Sequence, residues 1–178
     1  MKIAVYCSSR SDLGADYEQA AADVGWLIGH KGHTLVYGGV DAGMMHLTAQ
    51  AAHDAGAKVT GVVPEFFSHR ADGLLDETII TSGLNERKAT MIALADLFVV
   101  LPGGLGTIDE WISTLSALVV AQDTRRKIVV ANINGIYNNM VAQIAATAAS
   151  PFARGKGISM SVIASSREEL IQTLNTLL

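Results

Sequence analysis

The stretch "DLFVVLPGGLGTIDEW" (96–111) sets an unbroken apolar run against a proline, three glycines and then Thr107, Asp109 and Glu110. An apolar run of this length without alternation reads as a strand buried on both faces, and the helical spacing that follows to 121 makes the whole a strand, a side-chain-poor turn and a helix. The same unit recurs along the chain. Strands are predicted at 2–7, 34–39, 58–64, 77–82, 96–102, 127–132 and 159–165, and helices at 14–30, 43–55, 84–95, 107–121, 136–149 and 167–177. Alternation of this kind builds βαβ units, so the expected fold is α/β: a doubly wound, Rossmann-like parallel sheet with helices on both faces, in a single domain over residues 1–178.

Composition narrows the class further. With 178 residues one hydrophobic core suffices, and only 17% of them are charged against 49% hydrophobic, which suggests that part of the surface is covered by a second copy. A two-fold homodimer is the expectation. The net charge of −4 and the absence of any basic run beyond "RRK" (125–127) argue against nucleic acid as a partner. A single cysteine, Cys7, permits no internal disulfide, and no apolar stretch reaches the roughly 18 residues of a membrane span. A cytoplasmic protein without membrane contact is expected.

In doubly wound sheets ligands gather beyond the carboxyl ends of the strands. Three turns fall there: "CSSRSD" after the first strand, "YGGVDAGMM" after the second and "PGGLGTIDE" after the fifth. Glycines at the last turn allow positive φ and close backbone approach, so that successive N–H groups and the positive end of a helix dipole face an anion, with the Thr107 hydroxyl as a further donor. Phosphate is the obvious ligand, although neither a P-loop nor a complete GxGxxG is present. A tight structural turn is the alternative. Thr107 and Glu110 also have the spacing of a capping box, which competes with a functional role for the carboxylate. A carboxylate beside a phosphate is repulsive, and it becomes useful where the ligand carries hydroxyls or developing positive charge next to its phosphate, as a ribose 5′-phosphate does.

A second cluster, "GLNERKATM" (83–91), opens the helix before the glycine-turn strand. Arg87 offers a planar fork for phosphate or ribose oxygens and Lys88 a point charge; the competing reading is a solvated charged turn. The segment "EFFSHRADGLLD" (65–76) reads either as a lid with two exposed aromatics or as a packing flap. "SSREEL" (165–170) has capping-box spacing through Ser166 and Glu169.

These residues resemble a known family. "PGGLGTIDE" fits PGGxGTxxE of the LONELY GUY (LOG) family of cytokinin riboside 5′-monophosphate phosphoribohydrolases, and "NERKATM" is similar to its companion arginine motif. The resemblance extends from "IAVYCSS" through "YGGVDAGMM" and "HDAGAKVTGVVP" to "INGIYNNM". It implies a dimeric Rossmann-like hydrolase that splits the N-glycosidic bond of a nucleoside 5′-monophosphate, with no metal or other cofactor. It further implies Arg87 and Glu110 as the catalytic pair and Gly103, Gly104, Gly106 and Thr107 as the phosphate turn, with Lys88, Met91 and Tyr37 as further nucleotide-binding positions. The chain departs from the family's YGGGxxGLMG-like turn at Val40 and His46, which puts substrate identity in doubt more than reaction class.

Two other readings compete. A non-catalytic nucleotide or cofactor carrier would use the same glycine turn for binding alone, but has no evident use for the carboxylate. Relatives are also often labelled lysine decarboxylases, which calls for a lysine carrying pyridoxal phosphate; no lysine here sits in a persuasive pocket turn. The five histidines include no HExxH, so a metal site is not expected.

Overall fold

Successive side chains of a strand point to opposite faces, and the first strand shows how this chain uses both. In the computed structural model, which describes residues 1–153 and 160–178, Ile3, Val5 and Cys7 enter one apolar layer while Ala4 and Tyr6 enter the other. The strands are β1 (Lys2–Tyr6), β2 (Thr34–Tyr37), β3 (Lys58–Pro64), β4 (Glu77–Thr81), β5 (Leu97–Val100), β6 (Lys127–Ala131) and β7 (Ser161–Ala164). They form one parallel sheet in the order β4-β3-β2-β1-β5-β6-β7. The expected doubly wound sheet is thus observed, with Ser159 of the seventh predicted strand outside the described residues.

Helices α1 (Ala15–His30), α2 (Gly43–Asp54) and α6 (Arg167–Leu177) cover the first face, and α3 (Leu84–Leu94), α4 (Leu105–Ala121) and α5 (Asn138–Ala148) the second. Parallel crossovers are right-handed, so reversing the direction of strand addition moves the helices to the opposite face. The reversal occurs at α3, which carries the chain from edge strand β4 back to β5 beside β1. It leaves the carboxyl ends of β1, β2, β3 and β5 under the starts of α3 and α4.

The segment between β3 and β4 contains a 3-10 turn, Glu65–Arg70, rather than a full helix. Leu74 and Leu75 pack on the core, as the packing-flap reading expects, while Phe66 and Phe67 remain exposed. Ser166 caps α6 by accepting from the Glu169 N–H at 3.2 Å, and Glu169 in turn accepts from the Ser165 N–H at 2.7 Å, as the capping-box spacing predicts to within one residue.

Helices α1 and α2 approach closely because α1 carries glycine where they cross. A Cβ at Gly25 would overlap the Thr48 carbonyl oxygen, and one at Gly29 would meet the Ala52 carbonyl and Ala55. Overfilling a close-packed contact forces backbone shifts costing about 1–3 kcal/mol. Gly25→Ala, which ordinary helix propensity would favour, should therefore lower unfolding stability by an amount in that range, measured by urea titration.

Candidate active site

The turn after β5 is pinned from beneath. Tyr137, buried against Trp111, donates its hydroxyl to the Leu101 carbonyl at 2.9 Å, and the Leu101 N–H reaches back to the Tyr6 carbonyl at 2.9 Å. Helix α4 then begins at Leu105, two residues earlier than its sequence pattern predicts, with Gly104 as its N-cap. Thr107 consequently lies inside the first turn, and no side chain caps the helix. The capping box between Thr107 and Glu110 does not form, because both residues are already helical.

The glycines also act differently from expectation. Gly104 has φ −89°, and neither Gly103 nor Gly106 has positive φ. Gly103 is required because Thr107 folds against it, leaving no space for a Cβ. A Cβ at Gly104 or Gly106, by contrast, would meet nothing within 4 Å. These two glycines keep open the space in front of the uncapped amides of α4. A helix start with free N–H groups and no intervening side chain suits an anion.

Glu110 lies one turn further along α4. It is 5% exposed, and its Oε1 accepts from Arg87 Nη1 at 2.6 Å. Arg87, 9% exposed, also donates Nε–H to the Val62 carbonyl at the end of β3, at 3.0 Å. Its Nη2 lies where a Cβ on Gly38 would sit, so the first glycine of the "YGG" turn makes room for the guanidinium. The solvated-turn reading of "ERK" is overturned for Arg87: the crossover helix carries it inward to the sheet ends. Burial pushes the Glu110 carboxyl above the usual carboxylate range, and the Arg87 guanidinium opposes that rise. Lys88, next along α3, donates to both oxygens of Asp109 at 2.9 and 2.7 Å and ties the two helices together at the rim.

Arg87, Lys88, Gly104, Gly106, Thr107 and Glu110 share the wall of one cleft of about 350 Å³, within the size range of small-molecule sites. The opposite wall comes from Ser8–Arg10, Gly38, Val40, Met45, Phe67 and Arg70. Tyr37 and Met91 are not part of it. Both are fully buried in opposite apolar layers, because alternation turns Tyr37 beneath the sheet end and helical period turns Met91 toward the strands. Gly103 supports Thr107 from behind and is not on the cleft wall. Cys7 does border the cleft, but burial first, and then the Glu110 charge, push its thiol up and away from nucleophilic use.

Phe67 belongs to the aromatic pair already marked in the 65–76 segment, whereas Arg10 and Arg70 were not singled out by sequence reasoning. The only available signal was their place in turns after β1 and β3. His46 lies off the cleft wall and makes a clasp instead: its Nδ1 is 3.0 Å from Asp72 Oδ2 and 3.1 Å from Asp41 Oδ1.

Fold and site together define a Rossmann-like α/β protein with a cleft of small-molecule size built around a buried carboxylate–guanidinium pair beside the uncapped start of a helix. A family model described as possible lysine decarboxylase matches residues 45–174. The chain is 31% identical over 175 residues to the cytokinin riboside 5′-monophosphate phosphoribohydrolase LOG of Oryza sativa subsp. japonica, covering 97% of this chain and 72% of that protein. It is likewise 31% identical over 178 residues to LOG3 of Arabidopsis thaliana, which carries the same enzyme name, covering 97% of this chain and 81% of that one. The chain belongs to the LONELY GUY family.

Among solved structures, the molybdenum cofactor binding protein of Rippkaea orientalis superposes with a TM-score of 0.76 at 22% identity, covering 99% of this chain and 96% of that one. The molybdenum cofactor carrier protein of Chlamydomonas reinhardtii gives 0.76 at 20%, with the same coverage. At these identities the likeness is one of fold. The cleft does not fit the decarboxylase description: a lysine carrying pyridoxal phosphate must present its amine to the cofactor, whereas Lys88 on the cleft wall is bound to both oxygens of Asp109.

Removing one partner of a buried ion pair leaves an uncompensated charge and costs about 3–5 kcal/mol. Arg87→Met should destabilise the fold by that order at pH 8. The folded-state pKa of Glu110, already raised, rises further without Arg87, so the lost stability is largest above that pKa and is relieved as acid protonates the carboxyl. Urea titrations at pH 8 and pH 5 should show the gap to wild type narrowing at the lower pH.

Proposed function

We propose that this protein hydrolyses the N-glycosidic bond of a purine nucleoside 5′-monophosphate to free base and ribose 5-phosphate. The observation that carries this reading is the buried Arg87–Glu110 pair one helical turn from the open amides of α4. Phosphate would sit at Gly104, Gly106 and Thr107, which leaves the ribose beside Glu110. Cleavage moves the C1′–N bonding electrons onto the base, and positive charge builds on the sugar. The Glu110 carboxylate stabilises that charge and orients the water whose oxygen bonds to C1′, while the water's proton ends on the departing base or in solvent. A guanidinium gives up its proton poorly, so the part of Arg87 is to hold Glu110 ionised and in place. Lys88 with Asp109 closes the rim.

The relatives bring forward two particular substrates, cytokinin riboside 5′-monophosphate by their names and AMP as its unsubstituted parent. A binding or carrier role is the second reading, supported by the fold shared with the molybdenum cofactor proteins. The buried carboxylate favours hydrolysis over simple carriage. A cytoplasmic homodimer is part of the proposal. No helix among the described residues is long and apolar enough to cross a membrane. Leu105 (85% exposed) and Val120 (82%) on α4 offer apolar surface for a second copy.

Incubation with AMP and with isopentenyladenosine 5′-monophosphate should release free base, detected chromatographically. Release should require the 5′-phosphate and fall by at least about 100-fold in Glu110→Gln, the scale of losing a charge-stabilising group. Tight binding without base release would instead favour the carrier. Since Glu110 must be ionised and burial raises its pKa, kcat/KM should fall on the acid side at a pH above the ordinary glutamate value of about 4.3.

Gly106→Leu separates folding from binding. The new side chain enters open space and improves helix propensity, so stability should hold or rise by up to about 1 kcal/mol, while KM for the nucleotide rises about tenfold or more.

A further inference from the structure

The cleft has a direction. Its amide-lined end follows β5, and the segment carrying Phe67 and Arg70 follows β3, three strand positions away across β1 and β2. Three interstrand spacings are roughly 14 Å, about the reach of a nucleotide from phosphate to the far edge of its base. A phosphate at α4 and a ribose at Glu110 therefore direct the base toward Phe67 and Arg70.

The segment that carries those two side chains is tied to the turn after β2, where this chain departs from its family's glycine turn at His46. Val40 pairs with Ala71 in an isolated antiparallel bridge, the Asp41 N–H donates to the Arg70 carbonyl at 3.1 Å, and the Asp72 N–H donates to the Gly39 carbonyl at 2.8 Å. The clasp of His46 on Asp72 and Asp41 locks the same junction from α2. The backbone carrying Arg70 is thus fixed to the β2–α2 turn. The Arg70 guanidinium lies 5.9 Å from the centre of the Phe67 ring and has no hydrogen bond or ion pair among the described residues.

An arginine offers five donors and no acceptor. Adenine and its N6-substituted derivatives present a donor at position 6, which opposes such a fork. Guanine and hypoxanthine present O6 and N7, two acceptors at the spacing a guanidinium bridges. We infer that Phe67 and Arg70 form a base-reading wall that selects 6-oxopurine nucleoside 5′-monophosphates over 6-aminopurine ones, with His46 and Asp72 as its positioning residues. The inference rests on the hydrolase reading above and names its substrate class.

The test compares kcat/KM for base release from IMP, GMP, AMP and isopentenyladenosine 5′-monophosphate, using the full chain. A bidentate contact of this kind discriminates by about fivefold to a hundredfold, so IMP and GMP should exceed AMP by at least the lower figure. In Arg70→Gln the IMP-to-AMP ratio should collapse toward one, and in His46→Gly it should fall part of the way. Both substitutions are at the surface or half-buried, and circular dichroism would verify folding. Equal or faster hydrolysis of AMP, or an IMP-to-AMP ratio unchanged in Arg70→Gln, overturns the base-reading wall and leaves the hydrolase intact. No release from any of the four overturns both.

Discussion

The Arg87–Glu110 ion pair is the constraint around which the cleft is organised. Each charge alone would be costly at its depth, since a buried carboxylate or guanidinium is stable only when paired and hydrogen-bonded. Together they satisfy one another and the Val62 carbonyl, and so join the end of β3, the first turn of α3 and the second turn of α4 at one point. That point is the place where the sheet changes its direction of growth. The crossover brings it about: a helix returning from β4 to β5 must pass over the ends of the intervening strands, and Arg87 is on its first turn.

The pair also resolves the electrostatic difficulty of putting a carboxylate beside a phosphate. Arg87 neutralises Glu110 locally, and Lys88 does the same for Asp109. With both carboxylates answered, Arg10 and Arg70 remain on the cleft wall, together with the positive end of α4, in a chain whose net charge is −4. An anionic ligand therefore meets a favourable local field on a protein that is acidic as a whole.

Much of this architecture was legible in residue order. The seven apolar runs gave the strands, and their polar alternation with helical patterns gave the parallel sheet and the end at which a ligand would lie. What could not be read locally depended on contacts between distant residues. The sequence "NERK" looks like a solvated turn because its deciding partner, Glu110, lies 23 positions on, in a different helix. His46 stands in the sequence only as a departure from the family's glycine turn, since Asp72, which engages it, is 26 positions away. The capping alternative for Thr107 fails because helix periodicity marks the first apolar stripe and not the first helical residue, which is Leu105. Tyr37 precedes Gly38 in its strand and turns to the opposite face, whereas Met91 shares the buried helix face of Arg87 but lies one turn further on, over the strands rather than over the cleft.

The two glycine-rich turns answer to different physical demands, and this explains why one of them could change. In "YGGVDAGMM" the requirement is steric at particular positions: Gly38 admits Arg87, Gly39 has φ +70° against Gly61 and Val63, and Gly43 has φ +51° where a Cβ would overlap the Arg10 backbone. Val40 and His46 occupy the same turn without those demands; Val40 is in an extended bridge and His46 is on the first turn of α2. Side chains were therefore admissible at both, and that of His46 is used to hold the segment after β3. In "PGGLGTIDE" the demand at Gly104 and Gly106 is emptiness, because their backbone would accept a Cβ and only a ligand would object. Glycine at positions where the protein's own packing would admit a side chain is what a turn shaped around a ligand requires, and this is the feature on which the proposed phosphate site stands.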